Sequence, residues 1–352
     1  MKKAGKIILS VAGVLVAGAI GVGAMGWHYV MSPLSKAAEG STIQVYPGER
    51  PDVVTEKVAA AAACDVRGFR WLTQRAAVQT HHAVNDSTFH PFKPGNYSVR
   101  QGDSMRTLWL RLASGAQTPV RLVVGSPRTM DRLAGSLANQ LMADSASFAA
   151  AFHRPSLIDS LGYTIETLPA LIVPNTYEVY WTMSPDDFMA RMKKEHDRFW
   201  TAERKAKAEA AGLTDTEVVT LASIVCEETN KVDEMPVVAG LYLNRLHRGI
   251  PLQADPTVKF AVGDPTLRRI LFVHLATPSP YNTYLNTGLP PGPIRIVEPK
   301  VLEAVLNAAK HDYLYMCAKE DFSGYHNFAV TLAEHNANAR RYQAALNARG
   351  IK

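Results

Sequence analysis

One glutamate is placed by the sequence where it could do acid–base chemistry. Residues Leu213–Thr229 predict a single helix, with apolar residues from Val218 to Val225 recurring on one side. Glu228 follows Ile224 by four residues, near the middle of that side. Burial makes a carboxyl group costly to ionise and raises its pKa toward the range of a general acid. The pattern therefore indicates a general acid at Glu228, with a solvated glutamate at a frayed helix end as the alternative.

The neighbours of Glu228 are weaker candidates. Glu227 lies about 100° off the apolar side, so it ranks below Glu228 as the acid. Cys226 has no base that the sequence identifies, and an inert, buried cysteine is the commoner case. The helix start is well marked, because Thr214 and Glu217 have the spacing of a capping box.

Two later loops carry polar side chains, and those of the second loop suit the binding of sugars. They span Leu252–Thr257 and Ser279–Ile294, and the second is stiffened by prolines. Amide, hydroxyl and phenol groups can hold sugar hydroxyls and stack on ring faces. The second loop supplies these groups from Tyr281, Asn282, Thr283 and Tyr284. The alternative for the second loop is a proline-rich turn that packs on the core.

The histidines do not form a metal-ligand pattern. No carboxylate or cysteine completes a set with His81, His82 and His90. His326 and His335 lack the spacing of a metallopeptidase helix, and no glycine-rich loop that would cradle phosphate follows a strand. We therefore predict neither a metal nor a cofactor.

Composition indicates a folded protein of two or three domains. The chain has 352 residues, 47% of them hydrophobic and 20% charged. The net charge of +6 is modest, and no basic stripe is interleaved with aromatic residues, which argues against nucleic acid as a partner. The three cysteines are too few for a disulfide framework or a zinc site.

The N-terminus predicts a membrane anchor. Lys2, Lys3 and Lys6 precede an apolar run from Ile7 to about Trp27, long enough for a helix to cross a bilayer. We predict a short cytoplasmic tail and transmembrane helix at residues 1–30, with the rest of the chain outside the cytoplasm. A cleaved signal peptide is the alternative.

The remaining chain predicts an α+β fold. After a tether at residues 31–41, residues 42–125 alternate between strand and helix patterns and predict a small mixed module. Residues 126–352 predict a mixed α+β domain. Within it we expect helical segments at Thr129–Phe152 and Pro185–Ala211, and a pair of strands at Tyr313–Ala318 and His326–Phe328.

Four separated motifs in this chain resemble those of a known family. They are Ala222–Thr229, Leu252–Thr257, Pro280–Tyr284 with Gly288–Gly292, and Tyr313–Tyr315 with His326–Phe328. Their order and spacing are similar to those of the membrane-anchored endolytic murein transglycosylases, the YceG-like proteins. The last motif, with its turn at Glu320–Gly324, resembles the version found in Bacteroides-type bacteria.

The resemblance implies roles for individual residues. The family's catalytic glutamate precedes the threonine of the helix motif, which is Glu228 in this chain. Many relatives have Glu or Gln where this chain has Cys226. On this basis Gln253, Asn282 and Thr283 would hold N-acetyl and hydroxyl groups of the sugar. Tyr284 would pack against the face of a sugar ring. Asp255 would orient the muramyl ring or stabilise oxocarbenium charge, unless it only starts a turn. His326 would bond near Glu228 or fasten the C-terminal strand.

The resemblance also implies a reaction. A lytic transglycosylase cleaves the MurNAc-GlcNAc β-1,4 bond, and the muramyl C6 hydroxyl attacks its own ring to leave a 1,6-anhydro end. One glutamate can serve as both acid and base. Two alternatives stay open: a lysozyme-like hydrolase that uses Glu228 with Asp255, and a non-catalytic scaffold that binds peptidoglycan.

The resemblance finally implies where the protein works. The module at residues 42–125 resembles a LysM-like peptidoglycan-binding subdomain. The anchor would lie in the inner membrane as a single pass, with the catalytic domain in the periplasm. The expected substrate is the nascent glycan strand, and contact with peptidoglycan synthases is a further hypothesis.

Overall fold

The computed structural model describes residues 2–350 except 84, 85, 87, 265 and 268, with side chains described from residue 17 onward. This part of the chain contains fifteen α-helices and three two-stranded sheets, which confirms a fold of mixed helices and strands. The chain divides into two compact units: residues 1–121 with 178–183, and residues 122–177 with 184–352. The predicted boundaries at residues 30, 41 and 125 and the LysM-like assignment stay predictions.

The first unit is built around one small antiparallel sheet. Its strands β1 and β2 pair with Ile43 opposite Tyr97, and both side chains are buried in its core. Phe69 and Leu108 pack into the same core from two helices. The elements are α1 (Lys2–Met31), β1 (Thr42–Val45), α2 (Pro51–Ala62), α3 (Arg67–Gln79), β2 (Gly95–Ser98) and α4 (Met105–Ser114).

The predicted anchor falls partly outside the described side chains. Residues Lys2–Met31 form one continuous helix, but its side chains are described only from residue 17. Among the described residues, no helix is both long enough and apolar enough to cross a membrane. The transmembrane assignment therefore stays a prediction.

The second unit is mostly helical. Two strands, β3 (Val120–Val124) and β4 (Asn175–Val179), pair in a two-stranded sheet. The other elements are α5 (Met130–Ala138), α6 (Ser145–Phe152), α7 (Pro155–Ser160), α8 (Pro185–Phe199), α9 (Ala202–Ala210), α10 (Asp215–Glu228), α11 (Met235–His247), α12 (Asp255–Val262), α13 (Phe272–Leu275), α14 (Pro299–Leu306), β5 (Tyr315–Ala318), β6 (His326–Ala329) and α15 (Leu332–Ala348).

Two segments predicted as continuous helices are each divided. Residues 129–152 form α5 and α6, because the side chain of Asp144 caps a new helix by accepting the N–H of Ser147. Residues 185–211 form α8 and α9, because Thr201 caps α9 by accepting the N–H of Arg204. The apolar periodicity runs through both breaks, and only the caps mark them.

Helix α10 is the centre of the second unit. It begins with the predicted capping box, in which Thr214 and Glu217 exchange side-chain-to-backbone hydrogen bonds. Every residue from Val218 to Val225 is buried, so the prediction of a single apolar stripe was too narrow. A helix that is buried all round needs its polar side chains bonded internally. Ser223 meets this need by donating to the carbonyl of Thr220 and accepting the N–H of Ile294.

The C-terminal strands form the predicted hairpin. Strands β5 and β6 pair antiparallel, with Tyr315 opposite Ala329 and Ala318 opposite His326. Helix α15 follows and begins with a capping box between Thr331 and Glu334.

Candidate active site

Glu228 is the last residue of α10 and is half-buried. Its pKa is raised to about 7, chiefly by burial, and the charges of Asp255 and Glu227 act in the same direction. The hydrogen bond from Tyr242 acts against them. A carboxyl group with this pKa is largely protonated just below neutral pH and can give up its proton at that pH, as a general acid must.

Tyr242 fixes which oxygen of Glu228 is available. It lies on α11, it is buried, and its O–H donates to Oε1 of Glu228 at 2.7 Å. Burial, with the adjacent carboxyl, raises the pKa of Tyr242 well above its usual range, so the phenol remains a donor. Because Oε1 accepts this bond, the acid proton belongs on Oε2.

The cavity beside Glu228 has a volume of about 340 Å³, within the usual range of small-ligand sites. Its wall includes Tyr242 and Arg245 of α11, the segment before α12, the β5–β6 hairpin and α15. The cavity brings together five of the seven predicted site residues: Glu228, Gln253, Asp255, Tyr284 and His326.

Arg245 is a residue that the sequence analysis missed. Its guanidinium is buried and donates to the carbonyls of Pro251 at 2.9 Å and Leu314 at 2.7 Å. It also donates to Oε1 of Gln253 at 2.7 Å, which orients that side chain on the cavity wall. An arginine within the largely apolar sequence of α11 was the signal that could have found it.

Gln253 occupies a constrained backbone position. Its φ of 50° lies in the left-handed region, where residues other than glycine are uncommon. Its N–H donates to the carbonyl of Thr283 at 3.1 Å, so the two predicted loops are joined at this point. Such positions persist where the surroundings determine them, often at functional sites.

Asn282 and Thr283 lie inside the protein and are not on the cavity wall. Asn282 is 0% exposed and Thr283 1%. Asn282 donates to the carbonyls of Leu275 and Thr277, at 2.9 Å each. The hydroxyl of Thr283 lies 2.8 Å from that of Thr257 and accepts the N–H of Ala254 at 3.1 Å. These bonds hold the loop that presents Tyr284.

Asp255 begins α12, where the sequence analysis expected a loop. Its carboxylate is exposed and accepts the O–H of Tyr284 at 2.7 Å. An acid in the first helical turn is favoured by the helix dipole. Asp255 and Tyr284 therefore stand as one bonded pair on the cavity wall.

Two histidines line the cavity from the C-terminal elements. His326 is bonded to Glu234, a buried carboxylate that the sequence analysis did not identify. His335 stacks on Tyr315 with ring centroids 5.5 Å apart, and burial lowers its pKa. The Nδ1 atom of His335 is buried and has no hydrogen-bond partner among the described residues.

The carboxylate of Glu227 is bonded to two arginines. Arg128 bonds both of its oxygens, and Nη1 of Arg295 donates to Oε1 at 2.7 Å. Glu227 is also absent from the cavity wall among the described residues. The geometry therefore separates the two neighbouring glutamates: Glu227 is bonded to arginines, and Glu228 lies on the cavity wall.

No metal site is present in the part of the chain that the structure describes, where no group of three or more His, Cys, Asp or Glu residues could hold an ion. Cys64, Cys226 and Cys317 are free thiols. Burial raises the pKa of Cys226, which makes its thiolate, and hence nucleophilic attack, less available.

Comparison with known proteins gives one consistent result. The family model described as "YceG-like family" matches residues 43–341. An endolytic murein transglycosylase of Bacillus subtilis is 28% identical over 272 residues, 73% of this chain and 74% of the relative. One of Streptococcus pneumoniae is 27% identical over 261 residues, 64% of this chain, and the chain spans just under half (46%) of that relative.

A solved structure is also similar. The crystal structure of a yceG-like protein from Listeria monocytogenes matches with a TM-score of 0.54 at 25% identity. The match covers 84% of this chain and 97% of the other.

Proposed function

The chain belongs to the YceG-like family and is an enzyme of the lytic transglycosylase class, and we propose that it cuts peptidoglycan glycan strands internally with Glu228 as its single acid and base. The observation that carries this proposal is the raised pKa of Glu228 at the wall of a cavity large enough for a sugar ring. Oε1 of Glu228 accepts the bond from Tyr242, and among the described residues no hydrogen bond uses Oε2, which can therefore act on a substrate.

In the proposed reaction Glu228 first acts as the acid. Its Oε2–H protonates the oxygen between the MurNAc and GlcNAc rings as the bond from that oxygen to C1 of the muramyl ring breaks. The bond's electron pair leaves with the protonated oxygen, which becomes a free hydroxyl. The Tyr242 bond stabilises the carboxylate that forms, because it favours the charged state.

Glu228 then acts as the base. The C6 hydroxyl of the same muramyl ring bonds to C1, and the carboxylate takes its proton, which restores the acid and leaves a 1,6-anhydro end. The attack is intramolecular, so correct positioning of the ring supplies much of the rate. No water is consumed.

The remaining wall residues suit substrate binding. Gln253 and Asp255 are exposed, and with Tyr284 they offer an amide, a carboxylate and a phenol to sugar hydroxyl and N-acetyl groups. Asn282 and Thr283 support this function from inside the loop. Their predicted direct contact with sugar stays a prediction.

The setting of the enzyme is also a proposal. The three lysines before the apolar run support a single-pass anchor in the inner membrane with the catalytic unit in the periplasm. The module at residues 42–125 would bind peptidoglycan in a LysM-like manner. An anchored enzyme would meet nascent strands first, close to the synthases that make them.

The products of digestion test the proposed reaction. Purified glycan strands are digested with the full-length chain in water enriched in heavy oxygen, and the new ends are weighed by mass spectrometry. A transglycosylase leaves unlabelled anhydro ends that are one water lighter than reducing ends. Labelled reducing ends as the main product would overturn the proposal. Fragments released from strand interiors, and not only from termini, would support internal cutting.

A lysozyme-like hydrolase is the second candidate, because Asp255 lies on the same cavity and its charge acts on Glu228. The same digest separates the two reactions by the label. Glu228→Gln separates both from a non-catalytic scaffold, since only a scaffold would keep its cellular effect after this substitution.

A further inference from the structure

The imidazole of His326 is held on the cavity wall by a buried carboxylate. Glu234 is 5% exposed. Its Oε1 accepts the backbone N–H of His326 at 2.7 Å, and its Oε2 lies 2.9 Å from Nδ1 of the same residue. Two bonds from one carboxylate fix both the strand and the ring. The pair joins β6 to the start of α11, the helix that carries Tyr242.

This contact determines which nitrogen of His326 carries the ring hydrogen. A carboxylate only accepts hydrogen bonds, so we assign the ring hydrogen to Nδ1. In the neutral ring Nε2 is then an acceptor. Among the described residues, every hydrogen bond of His326 to Glu234 uses the backbone N–H or Nδ1, and none involves Nε2. The side chain is 16% exposed and lines the same cavity as Glu228.

We propose that His326 accepts a hydrogen bond from the C6 hydroxyl of the muramyl ring and holds that hydroxyl for attack on C1. Glu234 is then a positioning residue that acts through His326. This inference rests on the proposed transglycosylase reaction, and Glu228 still receives the proton. Water competes with the hydroxyl for C1, so the group that orients the hydroxyl sets the share of anhydro ends.

A neighbouring contact provides a matched control. The O–H of Tyr325 lies 3.1 and 3.2 Å from the two oxygens of Asp233. This pair joins the residues next to His326 and Glu234, so it fastens the same hairpin to the same segment. Tyr325 is outside the cavity wall among the described residues. A purely structural role of the His326 contact should be reproduced by the loss of the Tyr325 contact.

The test uses His326→Asn in the full-length chain. An asparagine amide can place an N–H near the position of Nδ1 and keep the bond to Glu234, while the Nε2 acceptor is lost. We expect kcat to fall about 100-fold, KM to stay within about twofold, and the product ratio to move from anhydro ends toward labelled reducing ends. Glu234→Gln should shift the ratio in the same direction by less, and Tyr325→Phe should leave it unchanged.

The product ratio keeps the test decisive even for a destabilised variant, because the ratio does not depend on how much enzyme is folded. An unshifted ratio in His326→Asn, or an equal shift in Tyr325→Phe, would overturn the inference. Anhydro ends from the wild-type chain with an unshifted ratio in His326→Asn would overturn this inference alone. A wild-type chain that makes no anhydro ends would overturn the proposed function itself.

Discussion

Tyr242 donates a hydrogen bond to Oε1 of Glu228 at 2.7 Å, between two neighbouring helices of the second unit. This bond opposes the burial that raises the pKa of Glu228 to about 7. Burial and the Tyr242 bond therefore shift the pKa of Glu228 in opposite directions, and the effect of burial is the larger. With a pKa of about 7, roughly half of the molecules carry the proton at neutral pH, and the proton can still be transferred.

Removal of the Tyr242 donor should change the pH profile. Tyr242→Phe deletes a bond that favours the charged carboxylate, so the pKa of Glu228 rises. Activity requires the protonated acid and is lost as pH rises through this pKa, so the alkaline limb of kcat/KM should move to higher pH. Tyr281→Phe, at a half-buried tyrosine outside the cavity wall, should leave the limb in place. A limb that moves to lower pH in Tyr242→Phe would contradict the assignment.

Removal of the Asp255 charge should move the same limb in the opposite direction. Asp255 raises the pKa of Glu228, so Asp255→Asn lowers it and brings the alkaline limb to lower pH. The asparagine carbonyl can still accept the O–H of Tyr284. Transglycosylation should persist, whereas a hydrolase that needs Asp255 would lose activity by about 10³-fold or more. Asp264→Asn, on an exposed residue after α12, is the control.

Glu228→Gln should stabilise the fold while it abolishes activity. The folded pKa of about 7 exceeds the ordinary value of 4.5, so the unfolded carboxyl ionises first as pH rises. Wild-type stability therefore falls between these two values and stays lower above them. The substitution should add at most about 3 kcal/mol near pH 9 and almost nothing near pH 4. Thermal unfolding at both pH values measures this difference, and an equal gain at both would show that ionisation of Glu228 is not its cause.

Glu227→Gln should destabilise the fold and leave activity nearly unchanged, the reverse of Glu228→Gln. Glu227 holds Arg128 and Arg295, so the loss of its charge should cost about 1–3 kcal/mol of unfolding free energy. Turnover per folded molecule should stay within about threefold of wild type, with the product ratio unchanged. Glu303→Gln, on a more exposed carboxylate that faces one arginine, should cost less than about 1 kcal/mol. Loss of turnover in Glu227→Gln without loss of stability would restore Glu227 as the acid.

Two substitutions of Thr283 separate loop support from direct sugar binding. Thr283→Val leaves the buried N–H of Ala254 without its acceptor and removes one bond of the Thr257 hydroxyl, which still donates to the carbonyl of Ala254. The expected cost is about 1–3 kcal/mol. Thr283→Ser keeps the hydroxyl and should stay near wild type. We expect the melting temperature to fall in the valine variant. A raised KM at an unchanged melting temperature would instead indicate direct contact with the substrate.

The local pattern of the sequence was sufficient to predict several features of the fold. Helix caps depend on residues three positions apart, so the capping box of Thr214 and Glu217 could be predicted and is confirmed. Residue patterns likewise located α10 and the β5–β6 hairpin. It did not locate the breaks at Asp144 and Thr201, because a short cap interrupts the backbone without interrupting the apolar pattern.

The sequence alone predicted a glutamate at the end of a buried helix, because the apolar pattern that indicates burial lies in residues close together in the chain. The packed fold was needed to show that Tyr242 bonds this glutamate, that two arginines occupy Glu227, and that Glu234 fixes the ring of His326. The physical reason is that these contacts join residues between 14 and 99 positions apart. Which distant side chains meet depends on how the helices pack, and no local pattern encodes that.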